Sequence, residues 1–241
     1  MIFAAGLGTR LRPLTDNMPK ALVPVAGKTM LERVILKLKD ASFHDITINI
    51  HHFGSQIIDF LRANQNFGVD IHISDERGEL LDTGGGIKKA RPLLESNEPF
   101  LIHNADILMD LNAFYHHHLE SDADATLLTN HRKTSRYLLM NQDNRLCGWT
   151  NLSTGEVLPK ELNYPSDHYQ LQAFGCIHVL SPSIFRYMEG ERWTGKFSII
   201  PFYVDICPKA CIQGFPIDSE NWFDVGKPET LAKAEAYYAS L

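Results

Sequence analysis

The chain has 241 residues, enough for one large α/β domain or two small ones with a proper core in either case. Its 44% hydrophobic and 22% charged residues are ordinary for a globular protein, and a formal charge of −6 without a basic block argues against nucleic acid as a partner. No apolar run approaches the roughly 20 residues of a membrane helix, and Met1-Ile2-Phe3-Ala4-Ala5 is too short and too uncharged at its start for a signal sequence. The expectation is a cytoplasmic protein with no membrane partner.

The first predicted element is a buried strand, Met1 to Ala5, which runs straight into Gly6-Leu7-Gly8-Thr9-Arg10. A strand beginning at Met1 itself leads to the expectation that the natural chain extends a residue or two before it. Two glycines allow backbone angles that other residues resist, so successive N–H groups can turn inward as a cradle for phosphate oxygens. Arg10, Arg12 and then Lys20, after Pro19, add three cations. Together these read as an anion site for a polyphosphate; the alternative is a tight strand-to-helix turn with solvated arginines. A dinucleotide fingerprint is excluded, because its third glycine would fall at Leu11. Gly27-Lys28-Thr29 is likewise no P-loop, since the leading glycine would fall at Leu22.

Beyond the loop, apolar spacing predicts a helix over Met30–Leu38, a strand over Asp45–His51 and a helix through Gln56–Arg62. A strand at Val69–Ile73, a helix from Gly84 to Leu94 and a buried strand at Phe100–His103 follow. This alternation predicts βαβ crossovers and a mainly parallel, mixed central sheet with helices on both faces. In such a sheet ligands bind beyond the carboxyl ends of the strands. The alternation weakens near Ala123. Strands are expected at Ala125–Thr129 and Phe174–Val179, with a hairpin of Tyr137–Met140 and Leu146–Trp149 around a polar turn. The polar stretch Asn151 to Gln170 is expected to be an insertion or lid. Short helices are expected at Pro182–Met188 and Ser198–Ile206, and a closing helix from Pro228 with proline in its first turn. No linker divides the chain, so 1–241 reads as a single domain.

Three further segments carry chemistry. His103-Asn104-Ala105-Asp106 ends an apolar strand, which sets the Asp106 carboxylate at the active edge of the sheet. Trp222-Phe223-Asp224-Val225-Gly226 repeats that arrangement with Asp224. Magnesium takes carboxylate oxygens and keeps its remaining positions for water and phosphate, although an aspartate after a strand also commonly caps a turn. Glu79-Leu80-Leu81-Asp82-Thr83-Gly84-Gly85-Gly86 puts three glycines before a helix, where a flat base could lie against bare backbone; a flexible Gly-rich helix start is the alternative. The four cysteines, Cys147, Cys176, Cys207 and Cys211, lack paired metal spacing and read as reduced core thiols. His116-His117-His118 reads as a solvated helix face, and His51-His52 is assigned no role.

Gly6-x-Gly8-Thr9-Arg10 with Pro19-Lys20 resembles the signature of the nucleotidyltransferases that activate sugar 1-phosphates. Glu79-x-x-Asp82-Thr83-Gly84-Gly85-Gly86, Phe174-Gly175 and the Trp222–Gly226 motif are similar to a short subgroup of that family, which includes uridylyltransferases acting on N-acetylmuramate 1-phosphate. The resemblance implies a Rossmann-like, GT-A-like fold and transfer of a nucleotidyl group from an NTP, UTP by subgroup, to a sugar 1-phosphate with release of pyrophosphate. It implies Arg10 and Lys20 as catalytic residues and Mg2+ held by Asp106 and Asp224. It also implies nucleotide binding by Ala5, Gly6, Gly8, Thr9, Arg10, Gly84, Gly85, Asn104 and Asp106. The partners are then an NTP and a sugar 1-phosphate, in a monomer or homodimer, with 1–122 as the nucleotide-binding half and 123–241 as the sugar-phosphate-binding half that carries the second metal ligand. Ala105 stands where the family carries glycine. The Glu-Lys-Pro motif of the longer members is replaced by Pro159-Lys160-Glu161, in which Lys160 could reach a sugar phosphate or simply face solvent. A mannose- or heptose-1-phosphate guanylyltransferase, a phosphocholine cytidylyltransferase and a non-catalytic nucleotide-sugar-binding regulator are the other readings.

Overall fold

Alternation along the strands decides which side chains meet. In the segment Asp45–Ile50, Ile46, Ile48 and Ile50 are buried on one face while Thr47 and Asn49 are buried on the other. A strand buried on both sides needs cover on both sides, and helices supply it. The computed structural model describes residues 1–105, 107–108, 111–166, 168–218 and 222–240.

In chain order the first half contains β1 (Ile2–Phe3), a small hairpin of β2 (Pro24–Val25) and β3 (Lys28–Thr29), α1 (Met30–Asp40), β4 (Asp45–Ile50), α2 (Gly54–Ala63) and β5 (Asp70–Asp75). α3 (Asp82–Leu94), β6 (Phe100–Asn104), β7 (Ile107–Leu108) and α4 (Asn112–Leu119) complete it. The second half brings β8 (Ala125–Asn130), β9 (Arg136–Met140), β10 (Leu146–Asn151), β11 (Glu156–Leu158) and β12 (Gln170–Leu180). It closes with α5 (Ile199–Ile206), β13 (Ile212–Ile217), β14 (Phe223–Asp224) and α6 (Pro228–Ala239).

The central sheet is mixed. β6, β1, β4 and β5 lie side by side and parallel. β12 joins β6 antiparallel and ties the second half to the first, with β9, β10 and β11 continuing antiparallel beyond it. β8 pairs with both β12 and β13. One apolar cluster gathers Ile2, Ile48 and Leu101 with α1, α2, α4 and α6. The opposite one gathers Met1, Ile102 and Leu127 with α3, α5 and the 3-10 segment Pro182–Met188. The expected helices on both faces are present.

Two local results differ from the sequence reading, and a third gives the Gly27 segment its place. β13 was not expected, because Gly214 and Pro216 interrupt its apolar pattern; it pairs with β8 at one edge, where proline is tolerated. The stretch expected as a lid contributes β11, which extends the sheet beside β10. Ala26 and Gly27 form the β2–β3 hairpin turn, with Gly27 at φ 79°, Lys28 and Thr29 form β3, and Thr29 caps α1 by accepting the Glu32 N–H at 3.1 Å. Arg33 clamps that turn by donating to the carbonyls of Val25 and Ala26.

Candidate active site

The parallel strands β6, β1, β4 and β5 end on one edge, and over that edge lies a cavity of about 430 Å³. Phe3, Ala4, Ala5 and Gly6 line it from β1, Asn104 and Ala105 from β6, Asn49 from β4 and Glu76 from the end of β5. Arg10 and Lys20 close one side; Leu80, Asp82, Thr83 and Lys196 form another. This is where ligands bind in open α/β sheets.

The loop after β1 is built around Gly8. Its φ of +66° is a left-handed conformation, and a Cβ there would stand 2.9 Å from Lys20 Cβ and 3.0 Å from Thr15 Cγ2. Its carbonyl accepts both the Thr15 hydroxyl at 2.8 Å and the Leu11 N–H at 2.9 Å, closing a 3-10 turn over Thr9–Leu11. Gly8 and Thr9 therefore shape the loop, while Ala5, Gly6 and Arg10 face the cavity. Arg12 pairs with Asp16 at 3.4 Å in solvent and is absent from the lining.

Asp224 reaches the same place from β14. Its Oδ1 accepts the N–H of Gly226 at 3.0 Å. A side chain at Gly226 would push the site's charged tips aside: a Cβ would lie 2.8 Å from Arg10 Nη2, 2.8 Å from Asp224 Oδ1 and 3.0 Å from Lys20 Nζ. Two cations of the first loop and a carboxylate more than 200 residues later in the chain thus converge over one glycine. Asp224 is paired across β14 and β7 with Ile107. Asp106, the other expected metal ligand, lies outside the described residues. Among the described residues no group of three or more His, Cys, Asp or Glu side chains could hold a metal ion. That result does not oppose magnesium, which commonly takes one or two carboxylates and completes its shell with phosphate and water.

The triple glycine behaves differently from the expectation of a bare seat for a base. Gly84, Gly85 and Gly86 are buried and do not line the cavity. Gly84 and Gly85 donate their N–H groups to the Phe197 carbonyl at 2.9 and 3.1 Å. Added Cβ atoms would stand 2.3 Å from the Phe197 ring and 2.3 Å from the Gly195 carbonyl, respectively. The run lets the segment carrying Gly195, Lys196 and Phe197 dock on the start of α3, and the cavity wall is left to Leu80, Asp82 and Thr83.

Asn49, Glu76 and Lys196 belong to the site and were missed in the sequence. Glu76 is fully buried, yet its carboxylate accepts Asn49 Nδ2 at 2.7 Å and the Leu81 N–H at 3.2 Å. Asn49 Oδ1 in turn accepts the Ala4 N–H at 2.8 Å, fixing the point where β1 leaves the sheet. The available signal was Asn49 itself, an amide inside an isoleucine-rich strand. Lys196 lies in a polar turn and offered no signal.

In the second half of the chain, the Arg132 guanidinium stacks 4.4 Å over the Trp222 ring and donates to Asn130 Oδ1 and the Phe174 carbonyl, each at 3.0 Å. Burial lowers its pKa from the ordinary value, and Cys176 and Asp224 oppose that shift. Trp222 Nε1 donates to the Gly175 carbonyl at 3.1 Å. Lys160 and Glu161 are exposed and do not line the cavity. His116 and His117 face solvent, whereas His118 is buried between Thr126 and Ser181. All four cysteines are free thiols. No described helix is long and apolar enough to cross a membrane.

Comparison with known proteins bears on the fold and the family. The N-acetylmuramate alpha-1-phosphate uridylyltransferase of Caulobacter vibrioides is 31% identical over 99% of this chain and 96% of its own. The protein of the same name from Neisseria meningitidis is 46% identical over 112 residues, covering 46% of this chain and 48% of that one. The fold matches the crystal structure of HddC from Yersinia pseudotuberculosis complexed with GMP-PN, with a TM-score of 0.74 and 23% identity over 98% of this chain and 97% of that one. The family model described as nucleotidyl transferase matches residues 1–240, and the chain belongs to the nucleotidyl transferase family.

Proposed function

We propose that the protein joins a nucleoside triphosphate, UTP in the first instance, to a sugar 1-phosphate, giving an NDP-sugar and pyrophosphate. The observation that carries this reading is the convergence of Arg10, Lys20 and Asp224 around Gly226 at the mouth of the cavity. A phosphate oxygen of the acceptor attacks the α-phosphorus, the bond to the bridging oxygen of the β-phosphate breaks, and pyrophosphate leaves with that electron pair. A phosphate monoester is nucleophilic at neutral pH, so the reaction needs no strong base. It needs two polyanions held together in line, which is a task of positioning and charge stabilisation.

Arg10 holds the leaving phosphates through its planar fork, and Lys20 lies by the α-phosphate and the incoming oxygen. The Gly6 and Ala5 backbone borders the triphosphate, Gly8 and Thr9 keep the loop in shape, and Asn104 faces the nucleotide from β6. Gly84 and Gly85 support the nucleoside end from behind Asp82 and Thr83. Asp224, which lies beside Arg10 and Lys20, would hold Mg2+ together with Asp106, since both offer hard carboxylate oxygens. When bound, the ion would neutralise phosphate charge and fix the geometry of displacement.

The full-length likeness to a uridylyltransferase supports UTP, and the likeness in fold to HddC with GMP-PN supports GTP as the second reading. The presence of Arg10, Lys20 and Asp224 together speaks against a purely regulatory protein. The test is pyrophosphate release with each of four NTPs against a panel of sugar 1-phosphates and phosphocholine. Release with UTP and a sugar 1-phosphate is expected; no release with any pair would overturn the reading.

A further inference from the structure

Among the described residues at the nucleoside end of the cavity, one polar side chain makes no hydrogen bond at all. Glu76 accepts from Asn49 and Leu81; Asn49 spends its oxygen on Ala4 and donates to Glu76. Asp82 Oδ1 accepts the N–H of Thr83 at 2.6 Å, and Thr83 Oγ1 accepts the N–H of Ile199 at 2.9 Å. Lys196 lines the same end and makes no hydrogen bond or ion pair with any described residue. Its backbone, by contrast, is well anchored. Phe197 donates its N–H to the Leu81 carbonyl at 3.1 Å, and its carbonyl takes the N–H groups of Gly84 and Gly85. A fixed loop with one unengaged cation over a cavity is the arrangement of a ligand contact, whereas a solvated lysine needs no such anchoring.

The position of Lys196 separates it from the phosphate end. The Gly6 loop follows β1 in the middle of the parallel strands, while α3, on which the Lys196 segment docks, follows β5 at their edge. Two strand spacings, about 10 Å, lie between β1 and β5. Arg10 and Lys20 already gather at the β14 side of the cavity. Around the far end the walls include the apolar side chains of Phe3 and Leu80, which suit a planar base.

We propose that Lys196 reads the base, donating to a ring carbonyl and so selecting keto bases over amino bases. This rests on the nucleotidyl-transfer reading. An ammonium carries three donors and no acceptor. It can therefore bond the carbonyl at position 4 of uracil, but at that position cytosine presents an amino group, which sets donor against donor. The same logic admits the carbonyl at position 6 of guanine and rejects the amino group of adenine.

Calorimetric titration with UTP and CTP, without acceptor, tests this independently of turnover. The wild type should bind UTP more tightly than CTP. Lys196→Met should weaken UTP about tenfold, a factor worth about 1.4 kcal/mol, and leave CTP unchanged. Lys196→Gln, whose amide both donates and accepts, should narrow the ratio by improving CTP relative to UTP. An equal loss for both nucleotides would make Lys196 a phosphate contact and overturn the assignment, as would no loss for either. A wild type that binds neither nucleotide would overturn the underlying nucleotidyl-transfer reading together with this assignment.

Discussion

Gly226 lies so close beneath Arg10 that a methyl group on its Cα would stand 2.8 Å from the guanidinium Nη2. The contact couples the first loop of the chain to the turn after its last strand, so a side chain at 226 would shift the tips of Arg10 and Lys20. Lys20→Ala should reduce turnover by about a hundredfold or more, the scale seen when a preorganised charge partner of a transition state is removed, while Tm changes little because Lys20 is only half-buried. Gly226→Ala should also depress turnover, by displacing Arg10 and Lys20. Pyrophosphate release and a thermal melt on both variants check this; near-wild-type turnover for Lys20→Ala would sink its assigned role.

Asp224→Asn keeps the oxygen that accepts the Gly226 N–H and removes the negative charge. The fold should therefore persist while the magnesium concentration for half-maximal activity rises, by about tenfold or more if the carboxylate binds the ion. A metal titration of the purified variant is the measurement, and an unchanged curve would count against Asp224 as a ligand.

Two glycines should respond in opposite ways to the same substitution. A Cβ at Gly6 meets nothing within 4 Å, yet Gly6 lines the cavity. Gly6→Ala should therefore melt like the wild type and bind the triphosphate less well. A Cβ at Gly84 meets the Phe197 ring at 2.3 Å, so Gly84→Ala should lose about 1–3 kcal/mol of stability from overpacking. Denaturant titration and nucleotide binding on the two variants distinguish a cavity glycine from a docking glycine.

Acid should destabilise the protein through its buried histidines. Burial pushes His178, which hydrogen-bonds Tyr203, down to about 3, and His118, set between Thr126 and Ser181, down to about 4. In the unfolded chain both titrate near the ordinary 6.5, so between that value and the folded ones the unfolded state binds more protons. Stability is then complete above about pH 6.5 and is lost as pH falls toward 4. The slope is about 1.4 kcal/mol per pH unit for the fully buried His178 and less for His118. Melting curves from pH 7.5 to 4.5 should show this, and His118→Gln, which does not titrate, should flatten the decline.

The sequence alone was enough to determine the class of fold and to single out the first loop as a candidate anion site. Helical and alternating periods are local properties of the chain, and Met30–Asp40, Asp45–Ile50 and Phe100–Asn104 were legible because each buries a regular set of apolar residues. β13 was not, because Gly214 and Pro216 break its pattern and its pairing with β8 rescues it only in three dimensions. At the site, Gly6, Arg10 and Lys20 could be read from their spacing. That Asp224 meets them could be inferred only by resemblance, since nothing local to Trp222–Gly226 says where β14 ends.

Tertiary structure alone decided the remaining points. It assigned Gly84 and Gly85 to docking the 195–197 segment and Gly86 to close packing on Glu76 and Phe3, where a run of glycines in sequence is equally compatible with bare backbone for a ligand. It brought Asn49 and Glu76 under the cavity through hydrogen bonds between residues far apart in the chain. Lys196, one lysine in a polar turn, acquired a place over the cavity through the backbone bonds of Phe197. The physical reason is the same in each case. Periodicity and spacing report what a segment can do by itself, whereas a close approach or a shared hydrogen bond depends on which other segment arrives.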